Sequence, residues 1–122
     1  AGQGLANACG YRWVRDAETI GAQDAAGAVL VNVTPIGMTG SGPEAHLLAF
    51  LPDAIKAARM VFDVVAMPIE TPLIRVARAV NRPTINGGEV LILQGLEQFA
   101  LYTGVRPNTE QLARAAAVAL AK

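Results

Sequence analysis

The run Ala28-Val29-Leu30-Val31-Asn32-Val33, leading directly into Thr34-Pro35-Ile36-Gly37-Met38, decides the fold of this chain. Val29, Leu30, Val31 and Val33 are almost continuously apolar, the pattern of a strand covered on both faces. Thr34 to Pro43, rich in Gly, Ser and Pro, reads as the loop that leaves it.

Downstream, the same alternation repeats. Glu44 to Ala58 is broadly helical, with Pro52 breaking or restarting it. Met60 to Val65 is a second apolar strand interrupted only by Asp63. Thr71 followed by Pro72 is a strong helix start, and Leu73, Val76, Ala77 and Val80 share one face of that helix. Arg82 to Ile85 predicts a third short strand, and Gly87-Gly88 lead into a long helix ending near Tyr102. Gly104 and Pro107 separate it from a last helix, where Asn108 and Gln111 have capping-box spacing. Upstream, Gln3 to Cys9 reads as a helix closed by Gly10, Tyr11 to Val14 as a short strand, and Asp16 as the cap of a helical segment over Ala17 to Gly21. Strands alternating with helices imply parallel strands joined by right-handed crossovers, an α/β fold.

Composition narrows the function classes. The chain has 122 residues, 52% of them hydrophobic and 16% charged, enough for a core and too apolar for disorder. Ten basic and ten acidic residues are scattered without a basic block, so neither nucleic acid nor an anionic membrane has electrostatic support. Apolar runs are too short to span a bilayer, and no basic segment followed by an apolar run marks a secretory leader. Cys9 is the only cysteine, which excludes an internal disulfide and suits a reducing cytoplasm as a small apolar helix residue. His46 is also alone, without partners at ligand or triad spacing. No metal is expected. Gly2-Gln3-Gly4 resembles the opening of a dinucleotide fingerprint, but no strand precedes it, as phosphate binding by a helix N-terminus requires.

In a doubly wound sheet, ligands bind beyond the carboxyl ends of the strands. Three loops leave in that direction: Asn32 to Met38, Asp63 to Pro72, and Asn86 to Glu89. Glycines there let backbone approach a ligand closely.

These loops carry a resemblance. Asn32-Val33-Thr34 with Gly37-Met38 is similar to the Asn-Ala-Thr and Gly-Met segments of the shikimate dehydrogenase family. Asp63 through Pro72-Leu73 resembles that family's segment ending in Thr-Pro-Leu. Gly87 with Gln94 resembles its Gly-to-Gln segment, and Phe99 with Tyr102-Thr103-Gly104 its aromatic-Thr-Gly ending. Order and separation agree from about residue 28 to 106.

The resemblance implies a partial doubly wound, Rossmann-like parallel sheet with flanking helices, lacking the first two strands of the cofactor lobe. All of residues 1–122 would be the C-terminal portion of an NAD(P)-binding lobe with its closing helices. It implies hydride transfer between NADP or NAD and a shikimate- or quinate-like hydroxy acid. The catalytic Lys and Asp of the family lie on an N-terminal lobe outside this sequence, so the chain alone is expected to be inactive. Asn32, Thr34, Val64 and Gly87 would bind the cofactor, with Val64 and Gly87 flanking the nicotinamide. Gln94 would reach a substrate hydroxyl, and Ala66 stands where the family places a substrate-contacting Tyr. Val90 and Glu89 also depart from the family pattern, which has Met and Gly there. An alternative from another class is a noncatalytic small-molecule-binding or interaction module that keeps the loops and not the reaction. With strand order 3-2-1-4-5-6, the strand at Ala28 to Val33 loses its neighbour, and its open edge predicts self-association or pairing with the missing part of the parent.

Overall fold

Sheet formation here starts from three short strands. The computed structural model describes residues 2–120, with side-chain burial for residues 2–118. β1 (Val29–Asn32), β2 (Met60–Asp63) and β3 (Thr84–Ile85) form a sheet in the order β1-β2-β3, and both pairings are parallel. The register sets Asn32 opposite Asp63 and Phe62 opposite Ile85.

The crossovers are α2 (Ala22–Ala25) before β1, α3 (Pro52–Ala57) between β1 and β2, and α4 (Pro72–Ala79) between β2 and β3. Leu30 and Val61 turn inward from their strands. They meet Ala25, Ala54, Ile55, Ala58, Leu73 and Ala77 in one core on a single face of the sheet. Alanine recurs on the helical side of this core, so the helices sit close to the strands with little apolar volume between them.

The opposite face differs from expectation. Val29, Val31 and Val33 are 37%, 41% and 73% exposed, so β1 alternates between buried and open positions and is not covered twice. The helices α2, α3 and α4 all share the Leu30–Val61 side, which leaves nothing among the described residues to cover the other face of β1. The predicted strand at Tyr11 to Val14 is also absent. Instead, Gly10 is left-handed and the Tyr11 amide donates to the Ala6 carbonyl at 2.8 Å, capping α1 (Gly2–Ala8) with a Schellman turn. A strand needs a ladder partner, and none lies beside this segment.

Smaller differences have local causes. Glu44 to Ala58 is divided into a 3-10 turn over Gly42–His46 and α3, because the residue before Pro52 is held extended. β2 stops at Asp63 because its side chain accepts from the Val65 amide at 3.1 Å and turns the chain. The Asp16 cap holds, over a 3-10 turn at Ala17–Thr19.

α5 (Gly87–Thr103) and α6 (Thr109–Leu120) form a helical hairpin. Asn86 and Glu89 cap α5 reciprocally, with bonds of 3.0 and 2.8 Å, and left-handed Gly104 closes it. The Asn108–Gln111 capping box is present at 2.9 Å in both directions. Among the described residues, no helix is long and apolar enough to cross a membrane.

Candidate functional site

Two polar side chains end β1 and β2 on the core side. Asn32 is 2% exposed and Asp63 fully buried, so each must find partners inside the protein. Asn32 Nδ2 donates to Asp63 Oδ1 at 3.0 Å and to the Ile36 carbonyl at 3.1 Å. Asn32 Oδ1 accepts from the Thr34 amide at 3.0 Å and the Thr34 hydroxyl at 2.7 Å. Asp63 Oδ1 also accepts from the Val65 amide, and Oδ2 accepts from the Thr71 hydroxyl at 2.6 Å. Thr71 Oγ1 in turn accepts from the Ile74 amide, capping α4. Every partner of Asp63 donates, as an acceptor-only carboxylate requires. The network therefore ties together the loop after β1, the loop after β2 and the start of α4.

That knot fixes what lies above it. The Val64 amide donates to the Asn32 carbonyl at 3.1 Å, placing Val64, 37% exposed, at the carboxyl edge beside Thr34. Gly87 meets the same loop from the third strand. A Cβ built on Gly87 would stand 2.3 Å from the carbonyl carbon and oxygen of Val65 and 2.5 Å from the Ala66 nitrogen. Only glycine allows this approach, which seats the start of α5 on the Val65–Ala66 peptide.

Gln94 lies seven residues beyond Gly87 on α5, two turns along nearly the same stripe and about 10 Å farther from the peptide. It is exposed, as is Leu91 between the two on that stripe. Val64, Ala66 and Gly87 are thus joined at one edge, with Thr34 beside Val64 and Gln94 above Gly87. Asn32 stands apart in kind: its side chain is committed to the buried network, and it shapes the rim from beneath.

Chemically, this rim offers an apolar wall, hydroxyl and amide groups, and closely packed backbone. It can bind and orient a ligand. Thr34, Val64, Ala66, Gly87 and Gln94 carry no acid or base between them, while the neighbouring carboxylates of Asp63 and Glu89 are committed to the buried network and to the α5 cap. Among the described residues no cluster of His, Cys, Asp and Glu could hold a metal. The carboxyls with lowered pKa lie elsewhere. Hydrogen bonds from Arg106 hold Glu97 below the usual glutamate range, and a hydrogen bond from Arg12 does the same for Asp24.

Sequence reasoning missed the Asn32–Asp63–Thr71 network and the Asn86–Glu89 cap. A signal existed for the first: Asp63 is the only charge in an otherwise apolar strand, and it closes its strand as Asn32 closes β1. Glu89, read as a departure from a family glycine, serves as the second half of the α5 cap.

Comparison with known proteins adds to this geometry. No protein-family model matches the chain. It is 49% identical over 121 residues, 99% of its length, to a shikimate dehydrogenase-like protein of Haemophilus influenzae, covering 42% of that protein. It is 39% identical over 84% of its length to an NADP-dependent shikimate dehydrogenase of Methanocella arvoryzae, covering 37% of it. Among solved structures, a shikimate 5-dehydrogenase-like protein superposes with a TM-score of 0.83 at 48% identity, covering 95% of this chain and 41% of that one. Quinate dehydrogenase from Corynebacterium glutamicum in complex with NAD gives 0.69 at 35% identity, covering 95% and 40%. The chain therefore spans well under half the length of the relatives it matches.

Proposed function

From the membership of this chain in the shikimate dehydrogenase family, we propose that it is the C-terminal portion of an NAD(P)-binding lobe. The parent protein is a cytoplasmic dehydrogenase acting on a shikimate- or quinate-like hydroxy acid. The observation that carries this reading is the seating of Gly87 on the Val65–Ala66 peptide. It joins the ends of β2 and β3 into one wall, at the edge where doubly wound sheets bind their ligands.

The residues fit a nicotinamide nucleotide, either NADP or NAD. Val64 presents an apolar side chain at the rim, buried Gly87 brings the start of α5 close beside it, and Thr34 lines the cleft over the Asn32 support. When bound, the nucleotide supplies or accepts the hydride. Gln94 uses its amide to donate to and accept from a substrate hydroxyl, which orients the carbon that reacts. Ala66 leaves room where the family carries a tyrosine, so one substrate hydrogen bond is missing and discrimination for shikimate itself is weakened. The rim holds no proton-transfer group among the described residues, so general acid–base work belongs to the rest of the parent, and the chain alone is inactive.

The test is to titrate the full-length parent with NADP and NAD and to follow oxidation of shikimate and quinate. Cofactor binding that perturbs Val64 and Gly87 amides, with turnover of either acid, supports the proposal. A Gln94→Ala variant should raise KM about tenfold, the equivalent of one lost hydrogen bond. Binding of nucleotide with no oxidation of either acid favours a noncatalytic binding module instead.

Among the described residues the outer edge of β1 has no partner, since β1 ends the strand order. We propose that it pairs with another copy or with the missing part of the parent. Light scattering coupled to size exclusion should find oligomers of the chain; a folded monomer at tens of micromolar would overturn this.

A further inference from the structure

A pocket of about 570 Å³ opens between the loop after β1 and the start of α4. Thr39, Gly40, Gly42, His46, Pro72 and Arg75 form most of its wall, and none of the rim residues Thr34, Val64, Ala66, Gly87 or Gln94 contributes. No carboxylate lines it, while two basic side chains do.

The state of those two side chains is the informative point. Arg75 Nη1 donates to the Glu70 backbone carbonyl at 2.9 Å, which fixes the guanidinium beside the pocket. The obvious counter-ion is taken: the Glu70 carboxylate is paired with Arg78. Among the described residues Arg75 makes no salt bridge, and most of its donors are without a protein acceptor. The His46 ring and the Thr39 hydroxyl likewise have no hydrogen-bond partner among the described residues. Among the described residues, the amides of Gly40 and Gly42 donate to no protein carbonyl. The N-terminal end of α4, at Pro72, adds a positive dipole from the same side.

We propose that this pocket is a binding site for the oxyanion group of a small metabolite, distinct from the nicotinamide–substrate cleft. Arg75 provides the planar fork that matches phosphate or carboxylate oxygens, with His46, Thr39 and the Gly40 and Gly42 amides completing the donor set. Phosphate and carboxylate share this chemistry. The pocket leaves room beside the oxyanion for the rest of a small molecule. Because Arg78 occupies Glu70, it keeps Arg75 available without touching the pocket.

The experiment is an NMR titration of the protein with inorganic phosphate and, in a separate arm, with citrate, both at matched ionic strength. Saturable shifts confined to the Gly40 and Gly42 amides and the His46 ring are expected, with Kd on the order of 1 mM. The tighter of the two probes identifies the group as phosphate or carboxylate. Arg75→Gln should weaken binding about tenfold or more, and Arg75→Lys should retain part of it. Arg78→Gln should also weaken it, by releasing Glu70 to pair with Arg75. Non-saturating shifts spread over the surface, or unchanged affinity in a folded Arg75→Gln variant, would overturn the proposal. Since no rim residue is involved, nucleotide binding should be the same in all three variants.

Discussion

Replacing Asp63 by Asn preserves the shape of the side chain and removes its charge. The carboxylate accepts three hydrogen bonds, from Asn32 Nδ2, the Val65 amide and the Thr71 hydroxyl, all in the protein interior. A hydrogen bond to a charged acceptor contributes about 1 kcal/mol more than one between neutral groups, so three bonds lose about 3 kcal/mol. Neither orientation of the new amide recovers this. With its oxygen toward Asn32 and Val65, its NH₂ meets Thr71 and deprives the hydroxyl proton of an acceptor. The flipped amide faces two donors instead. Against a total stability of about 5–15 kcal/mol the loss is large. With a urea m value of about 1.5 kcal/mol/M, the midpoint of unfolding should fall by about 2 M. Circular dichroism of urea-treated Asp63→Asn and Thr71→Val proteins, with the double variant, completes the cycle, and a coupling of about 1 kcal/mol or more is expected between the two positions. A midpoint shift below about 0.3 M for Asp63→Asn would refute the view that this network holds the three loops together.

Two glycines of α5 should respond in opposite directions. Gly87→Ala forces a Cβ into the Val65–Ala66 backbone and should lower stability by about 2 kcal/mol, whereas Gly95, with open space around its Cβ position, should gain up to about 1 kcal/mol as alanine. Thermal melts of the pair decide this. Asn86→Ala removes the α5 cap and should cost about 1 kcal/mol, visible as faster amide exchange in the first turn. Glu97, held below the usual glutamate range by Arg106, should titrate low by NMR and return toward normal in Arg106→Gln. Because its folded pKa is depressed, the contribution to stability is present above the unfolded glutamate value. That contribution fades as pH falls through the lowered one.

Much of the fold was legible because its signals are local. The Thr71-Pro72 start, the Asn108–Gln111 box and the Gly104 stop each act within one helical turn, and each stands where the sequence placed it. Parallel pairing followed from alternation of elements. Two features were not local. Tyr11 to Val14 has strand composition, yet a strand exists only beside a partner, and its amide at Tyr11 serves α1 instead. The exposure of Val29 and Val31 depends on what else covers the sheet, which four residues of β1 cannot report. For the site, Val64, Ala66 and Gly87 were brought together by the register of β2 against β3. The Asn32–Asp63 bond spans 31 positions, and only the pairing of β1 with β2 makes it neighbourly.

In α5, only Gly87 and Gly88 are buried. A rod of 17 residues, about 25 Å long, is thus hinged on the sheet at one end and braced along its length chiefly by α6. Tilting such a lever by about 5° would carry the far tip about 2 Å while barely disturbing the fulcrum. A small adjustment at the Val65–Ala66 peptide would thereby be amplified at Tyr102 and Thr103, far from where it begins.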